Sequence, residues 1–91
     1  MKLNTDCIFD ILCEIEKCTT YAYQFIYDPQ EHDVYSRFKK YSSDEILYHI
    51  RHCESRGFFL NSSINPKHLV HILDLSFLGH KHLAEIRGES I

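Results

Sequence analysis

Apolar residues recur at three-and-four spacing near the start of the chain. Ile8, Ile11, Leu12 and Ile15 form one stripe with Cys7 and Cys18 on its flank, which predicts a helix with one buried face. Asn4 stands where a side-chain oxygen caps the first turn. The other side carries Asp6, Asp10, Glu14 and Lys17, together with Phe9 and Cys13, two apolar residues that a fully solvated face does not need. From Thr20 to Tyr27 the period changes to two, with Tyr21, Tyr23, Phe25 and Tyr27 on one side and Thr20, Ala22, Gln24 and Ile26 on the other. This alternation predicts a strand. Asp28-Pro29-Gln30-Glu31 reads as a turn, and Val34 to Tyr41 as a short helix that brings Val34, Tyr35 and Phe38 inward.

Ser42-Ser43-Asp44-Glu45 has the spacing of a capping box: the first hydroxyl accepts from the third residue's N–H while the glutamate reaches back to the cap. The helix it opens has Ile46, Leu47, Ile50 and Cys53 as its apolar stripe, and Gly57 ends it. Phe58 to Asn61 begins a strand, Asn61 to Lys67 is turn-rich, and His68 to Leu75 alternates again, so the two strands are expected to pair as a hairpin. Ser76 caps a last helix with Gly79, Leu83 and Ile86 on one face, and Gly88 stops it. The expected architecture is one α+β, mainly helical domain over residues 1–91: helix, strand, helix, hairpin, helix.

Composition narrows the function classes. At 91 residues, 44% hydrophobic and 25% charged, the chain is one globular domain with a modest core and little material for a deep cleft, which disfavours an enzyme. No apolar run approaches the ~20 residues of a membrane span, and Met1 to Asp6 lacks the apolar core of a signal peptide. A cytoplasmic protein without membrane contact is expected, with its four cysteines reduced.

A Ser-capped helix closed by Gly and followed by a hairpin is the core of a winged helix-turn-helix, the hairpin being the wing. Three blocks carry a closer resemblance: Met1-Lys2-Leu3-Asn4 with Asp6-Cys7-Ile8 and Asp10-Ile11-Leu12; Ser43-Asp44-Glu45-Ile46-Leu47-Tyr48-His49-Ile50; and Asp74-Leu75-Ser76 with Gly79-His80, Leu83 and Ile86-Arg87. Together they resemble a family of small phage and prophage proteins, winged-helix-like and catalogued as a domain of unknown function. The resemblance implies a phage setting in a bacterial host cell and brings no known activity.

The net charge of −3 conceals an uneven distribution. Residues 1–33 hold two lysines against seven acids, residues 34–73 six Lys and Arg against three acids, and residues 74–91 two against three. Two candidate surfaces follow. The first is a protein-binding face on the first helix, with Asp6, Asp10 and Glu14 around Phe9 and Cys13, an apolar centre in a polar rim. Its partner would be a host or phage protein, for example the basic channel of a defence nuclease, or a second copy of the chain in a homodimer. The alternative is a transcriptional regulator reading double-stranded DNA. On the second helix Tyr48, Arg51, His52, Ser55 and Arg56 would face the duplex, Arg51 reading guanine, while Lys67 on the wing and Lys39 and Lys40 contact phosphate. Against it, Asp44 and Glu45 sit at the helix end that ordinarily enters the groove.

Metal and catalytic chemistry find less support. His49, His52 and Cys53 with His68, His71, His80 and His82 do not repeat a zinc-ligand spacing, and His80 fits a hydrogen-bonded position at the core edge. There is no nucleophile elbow, metalloprotease motif or phosphate-cradling glycine loop. No catalytic residue, metal or cofactor is expected.

Overall fold

Asn4 Oδ1 accepts from the backbone N–H groups of Asp6 at 2.9 Å and Cys7 at 3.3 Å. From that cap helix α1 runs over Thr5–Cys18 in the computed structural model, which describes residues 1–89. Both halves of the capping box form: Ser42 Oγ accepts from Glu45 N–H and the Glu45 carboxylate accepts from Ser42 N–H, each at 3.1 Å. Helix α2 follows over Ser43–Ser55, and Gly57 takes a left-handed φ of 75° just beyond its end. Helix α3 spans Phe77–Arg87, with Ser76 Oγ accepting from Gly79 N–H and Gly88 at φ 73° as its C-cap. Each boundary is set by short polar side chains or glycines, whose action is local.

Strands β1 (Phe25–Tyr27), β2 (Ser62–Ile64) and β3 (Val70–Ile72) form an antiparallel sheet in the order β1-β3-β2. The hairpin β2-β3 is therefore present, with β1 added to its far side. Phe25 lies opposite Ile72 and Tyr27 opposite Val70, and all four are buried on one face. Against that face pack Ile11, Leu12 and Ile15 of α1, Ile46, Ile50 and Cys53 of α2, and Leu83 of α3, in one continuous core. Gly79 lets α3 approach closely, since a Cβ there would overlap the Phe58 carbonyl oxygen.

Three expectations change. The Thr20–Tyr27 strand shrinks to Phe25–Tyr27, because β3 offers no partner beyond Ile72 in that register. Thr20 and Tyr23 instead exchange backbone hydrogen bonds in a tight turn, leaving Tyr21 and Tyr23 in solvent. The short helix expected at Val34–Tyr41 is two 3₁₀ turns, Pro29–Val34 and Ser36–Phe38. Phe38 is buried as expected, but Val34 is exposed, since the extended backbone of Tyr35 breaks the helical path between the two turns. The first hairpin strand also begins later: Phe59 makes only an isolated bridge with Leu75, and regular pairing starts at Ser62.

Tyr35 guards the free edge of β1. Its hydroxyl donates to the Ile26 carbonyl at 2.6 Å and accepts from Asp28 N–H at 3.2 Å, occupying backbone groups that another strand could otherwise pair with.

Candidate functional site

The two flanks of α1 have different fates. Asp10 and Glu14 are 6% and 5% exposed, and Cys13 only 3%, so the expected open face of Asp10, Glu14 and Cys13 is corrected. The 3₁₀ segment and the residues after it fold over the acidic pair. Asp10 accepts from the Tyr41 hydroxyl at 2.8 Å and lies 3.2 Å from Lys40 Nζ and 3.5 Å from Arg37 Nη1. Glu14 lies 3.8 Å from Arg37 Nε, and its buried Oε2 has no hydrogen-bond partner among the described residues. Burial, reinforced by the hydrogen bond to Asp10, pushes the Tyr41 hydroxyl above the usual tyrosine range, so it remains a neutral donor.

Asp6 and Phe9 lie on the flank that stays open. Thr5, Asp6, Ile8 and Phe9 of α1 face His82, Ile86 and Arg87 of α3 across a groove of about 420 Å³. Ile8 and Phe9 pack their inner sides against the core while Ile86 is 44% exposed. His82 is held by stacking on Phe58, ring centroids 4.7 Å apart. Arg87 closes one end: its Nη1 is 3.0 Å from Glu16 and 3.7 Å from Glu89, and its Nη2 donates to Cys13 Sγ at 3.3 Å. Burial works against the guanidinium charge, but the contacts with Cys13 and Glu16 outweigh it and hold the group firmly cationic. Cys13 is thus buried under α3 rather than presented beside Phe9.

α2, the hairpin and Met1 bound a second groove, of about 540 Å³. Asp44, Leu47, Tyr48 and Arg51 line it from α2, and Ile64, Asn65, Pro66 and His68 from the hairpin. Of the residues expected to face DNA, Tyr48 and Arg51 line this groove. His52 packs against Tyr48 with its ring tilted by 55° and the centroids 4.6 Å apart, Ser55 and Arg56 are exposed toward the helix end, and Lys67 is exposed in the hairpin turn. Arg37 and Lys40, counted in the basic segment, are instead committed to Asp10 and Glu14. Outside those pairs residues 34–73 keep four cations against three acids, and residues 1–33 two against five.

The buried histidines join elements. His49 Nε2 accepts from Asn4 N–H at 2.9 Å while its Nδ1 donates to the Glu45 carbonyl at 2.7 Å, fixing the start of α1 against α2. His32 bridges the Tyr27 hydroxyl and the Tyr41 carbonyl, both at 2.7 Å. His80 lies 3.7 Å from Asp74 at the core edge. Among the described residues no group of three or more His, Cys, Asp or Glu side chains is placed to hold a metal ion, and no helix is long and apolar enough to cross a membrane. The four cysteines are free thiols. Burial pushes Cys7 up to about 12, with Glu45 and Asp10 adding to the shift, and pushes Cys53 up to about 12, with Cys7 adding.

Sequence reasoning missed the second wall of the α1–α3 groove. His82 and Ile86 are one helical turn apart, a spacing visible in the chain, but their pairing with Phe9 joins positions more than seventy residues apart and has no local signal. The basic partners of Asp10 and Glu14 were likewise hidden, because Arg37 and Lys40 reach α1 only through the 3₁₀ fold-back. No curated protein and no solved structure matches the chain. The family model described as "Hypothetical protein (DUF2513)" matches residues 2–91, and by that near-complete match the chain belongs to the DUF2513 family.

Proposed function

We propose that this protein is a non-enzymatic binding module that docks another protein in the groove between α1 and α3. The observation that carries the reading is the groove itself: Phe9, Ile8 and Ile86 form an apolar floor beside a polar rim, the arrangement that protein interfaces use for an anchor side chain. In the phage setting suggested by the sequence resemblance, the partner is a host protein in the bacterial cytoplasm, such as a component of a defence system that the module blocks. A photo-crosslinking residue at Ile86 should capture a protein that the same residue at Val34, an exposed apolar position outside the groove, does not. Capture should disappear in Phe9→Ser. Equal capture at both positions, or capture indifferent to Phe9, overturns the reading.

A second reading rests on the other groove. In this reading α2 serves as a recognition helix and the hairpin β2-β3 as a wing. The position of Arg51 beside the hairpin turn supports duplex DNA binding through Arg51, His52 and Lys67. The small excess of cations left in this segment makes it the weaker reading. An electrophoretic shift that falls with salt and is lost on Arg51→Ala with Lys67→Ala would support it, and no shift on duplex DNA at low salt would remove it.

A further inference from the structure

We infer that the segment received by the α1–α3 groove is a cationic amphipathic helix, an inference that rests on the docking reading above and names its partner's chemistry. The walls of the groove are two helices. Their backbone groups are consumed in their own hydrogen bonds, so an extended peptide laid between them would lose water from its N–H and C=O groups and find no ladder to replace it. A helical segment carries its backbone bonds with it and needs only side-chain contacts, the helix-in-groove mode. The dimensions agree. Thr5 to Phe9 on one wall and His82 to Ile86 on the other each span four residues, about 6 Å at 1.5 Å per residue. That matches apolar side chains one turn apart on an incoming helix.

Charge selects among the possible helices. Asp6 stands at one end of the groove, and Glu16 and Glu89 hold Arg87 at the other. Among the described lining residues Arg87 carries the only permanent positive charge, and it is already engaged by two carboxylates. The lining itself holds one acid, Asp6, and one cation, Arg87, and the two carboxylates that engage Arg87 from outside the lining leave Asp6 as the charge without a counterion there, which favours a partner whose apolar stripe is flanked by Lys or Arg over an anionic one. The same charges argue against a second copy of this chain. A second copy would bring to the groove only Arg87 as a permanent cation from the same lining, already engaged by Glu16 and Glu89, on a molecule that is negative at −3.

The test uses the full chain and two synthetic helical peptides with the same leucine stripe at three-and-four spacing, one flanked by lysines and one by glutamates, read by fluorescence anisotropy. The lysine peptide should bind about tenfold or more tightly than the glutamate peptide at low salt, and the gap should narrow as salt screens the rim. Phe9→Ser and Asp6→Asn should each weaken the lysine peptide, with circular dichroism confirming that both variants stay folded. Equal binding of the two peptides, or preference for the glutamate peptide, overturns the charge inference and leaves the docking reading standing. A concentration-dependent dimer in sedimentation that Ile86→Lys abolishes also overturns it, in favour of self-association through the same groove. Lysine-peptide binding that survives Phe9→Ser, or no binding of either peptide, overturns both.

Discussion

Asp6 and Asp10 stand one helical turn apart on α1, yet Asp6 meets water at the lip of a groove while Asp10 is sealed under Tyr41 and the 3₁₀ segment. The same residue type, on the same helix, does different work on the two flanks. On the sealed flank two carboxylates are matched by Arg37, Lys40 and a tyrosine hydroxyl, and the contacts fasten an irregular segment to the helix. On the open flank Asp6 lines the groove beside Ile8, Phe9 and Ile86, which no other described residue covers completely, and Glu16 reaches it through Arg87. The difference teaches that an acidic helix face is not one surface. Which part of it is available to a partner depends on where the connecting segments fold back.

The largest effect expected on this contrast comes from the wall rather than the acids. Gly79→Ala should cost about 3 kcal/mol in urea unfolding, because its Cβ would overlap the Phe58 carbonyl and push α3 away from the core. Any docking in the groove should be lost with it, and an unchanged midpoint would show that the close approach of α3 is not needed. Asp10→Ala should cost about 2 kcal/mol, mainly by leaving the buried Tyr41 hydroxyl without an acceptor. Lys40 and Arg37 add little to that figure, since both are substantially exposed. On the open flank the ranking reverses between stability and binding. Phe9→Ser should cost about 2 kcal/mol, as the ring is only partly buried against the core, and Asp6→Ala less than about 1 kcal/mol, the scale of a charge at a helix N-terminus. If Asp6→Ala destabilises as much as Asp10→Ala, the two flanks are not distinct.

The smallest effect at neutral pH concerns the thiols. A mild alkylating reagent should label Cys18, the exposed thiol, and leave Cys7 and Cys53 untouched until the chain unfolds, read by mass spectrometry. Burial raises Cys7 and Cys53 from 9.0 to about 12, so above about pH 9 the unfolded chain releases these protons while the folded state retains them. The folded state then binds more protons, and stability falls as pH rises through that window. Tyr27 and Tyr41, raised chiefly by burial, add to the fall. A denaturation midpoint that does not move between pH 8 and pH 11 would count against this burial.

Much of the fold was legible in the chain because its boundaries are made locally. Asn4, Ser42 with Glu45, Ser76 and Gly88 act on backbone groups within four residues, and each forms the contact its spacing predicts. Tyr21 and Tyr23 misled for the opposite reason: alternation is necessary for a half-buried strand, but a strand also needs a neighbour, and β3 ends before reaching them. Val34 misled because one apolar residue next to a break in the helical path can turn either way. Of the candidate protein-binding residues, Phe9 and Asp6 do lie on an open surface, whereas Asp10, Glu14 and Cys13 are covered by elements that arrive from 23 to more than seventy residues away.

Composition, helix caps and the period of apolar residues were therefore enough for a three-helix α+β chain with a hairpin, since those signals act within a turn or a strand pair. The identity of the open surface was not, because burial is decided by which distant segment packs against each face. Burial of Phe38 and Tyr41 laid the 3₁₀ segment over α1 and set Arg37 and Lys40 beside Asp10 and Glu14, and close packing of Gly79 on the Phe58 backbone seats α3, whose His82 and Ile86 face Phe9. The first removed two cations from the apparent basic patch and two acids from the apparent acidic one. The second made a groove out of residues that lie at opposite ends of the chain.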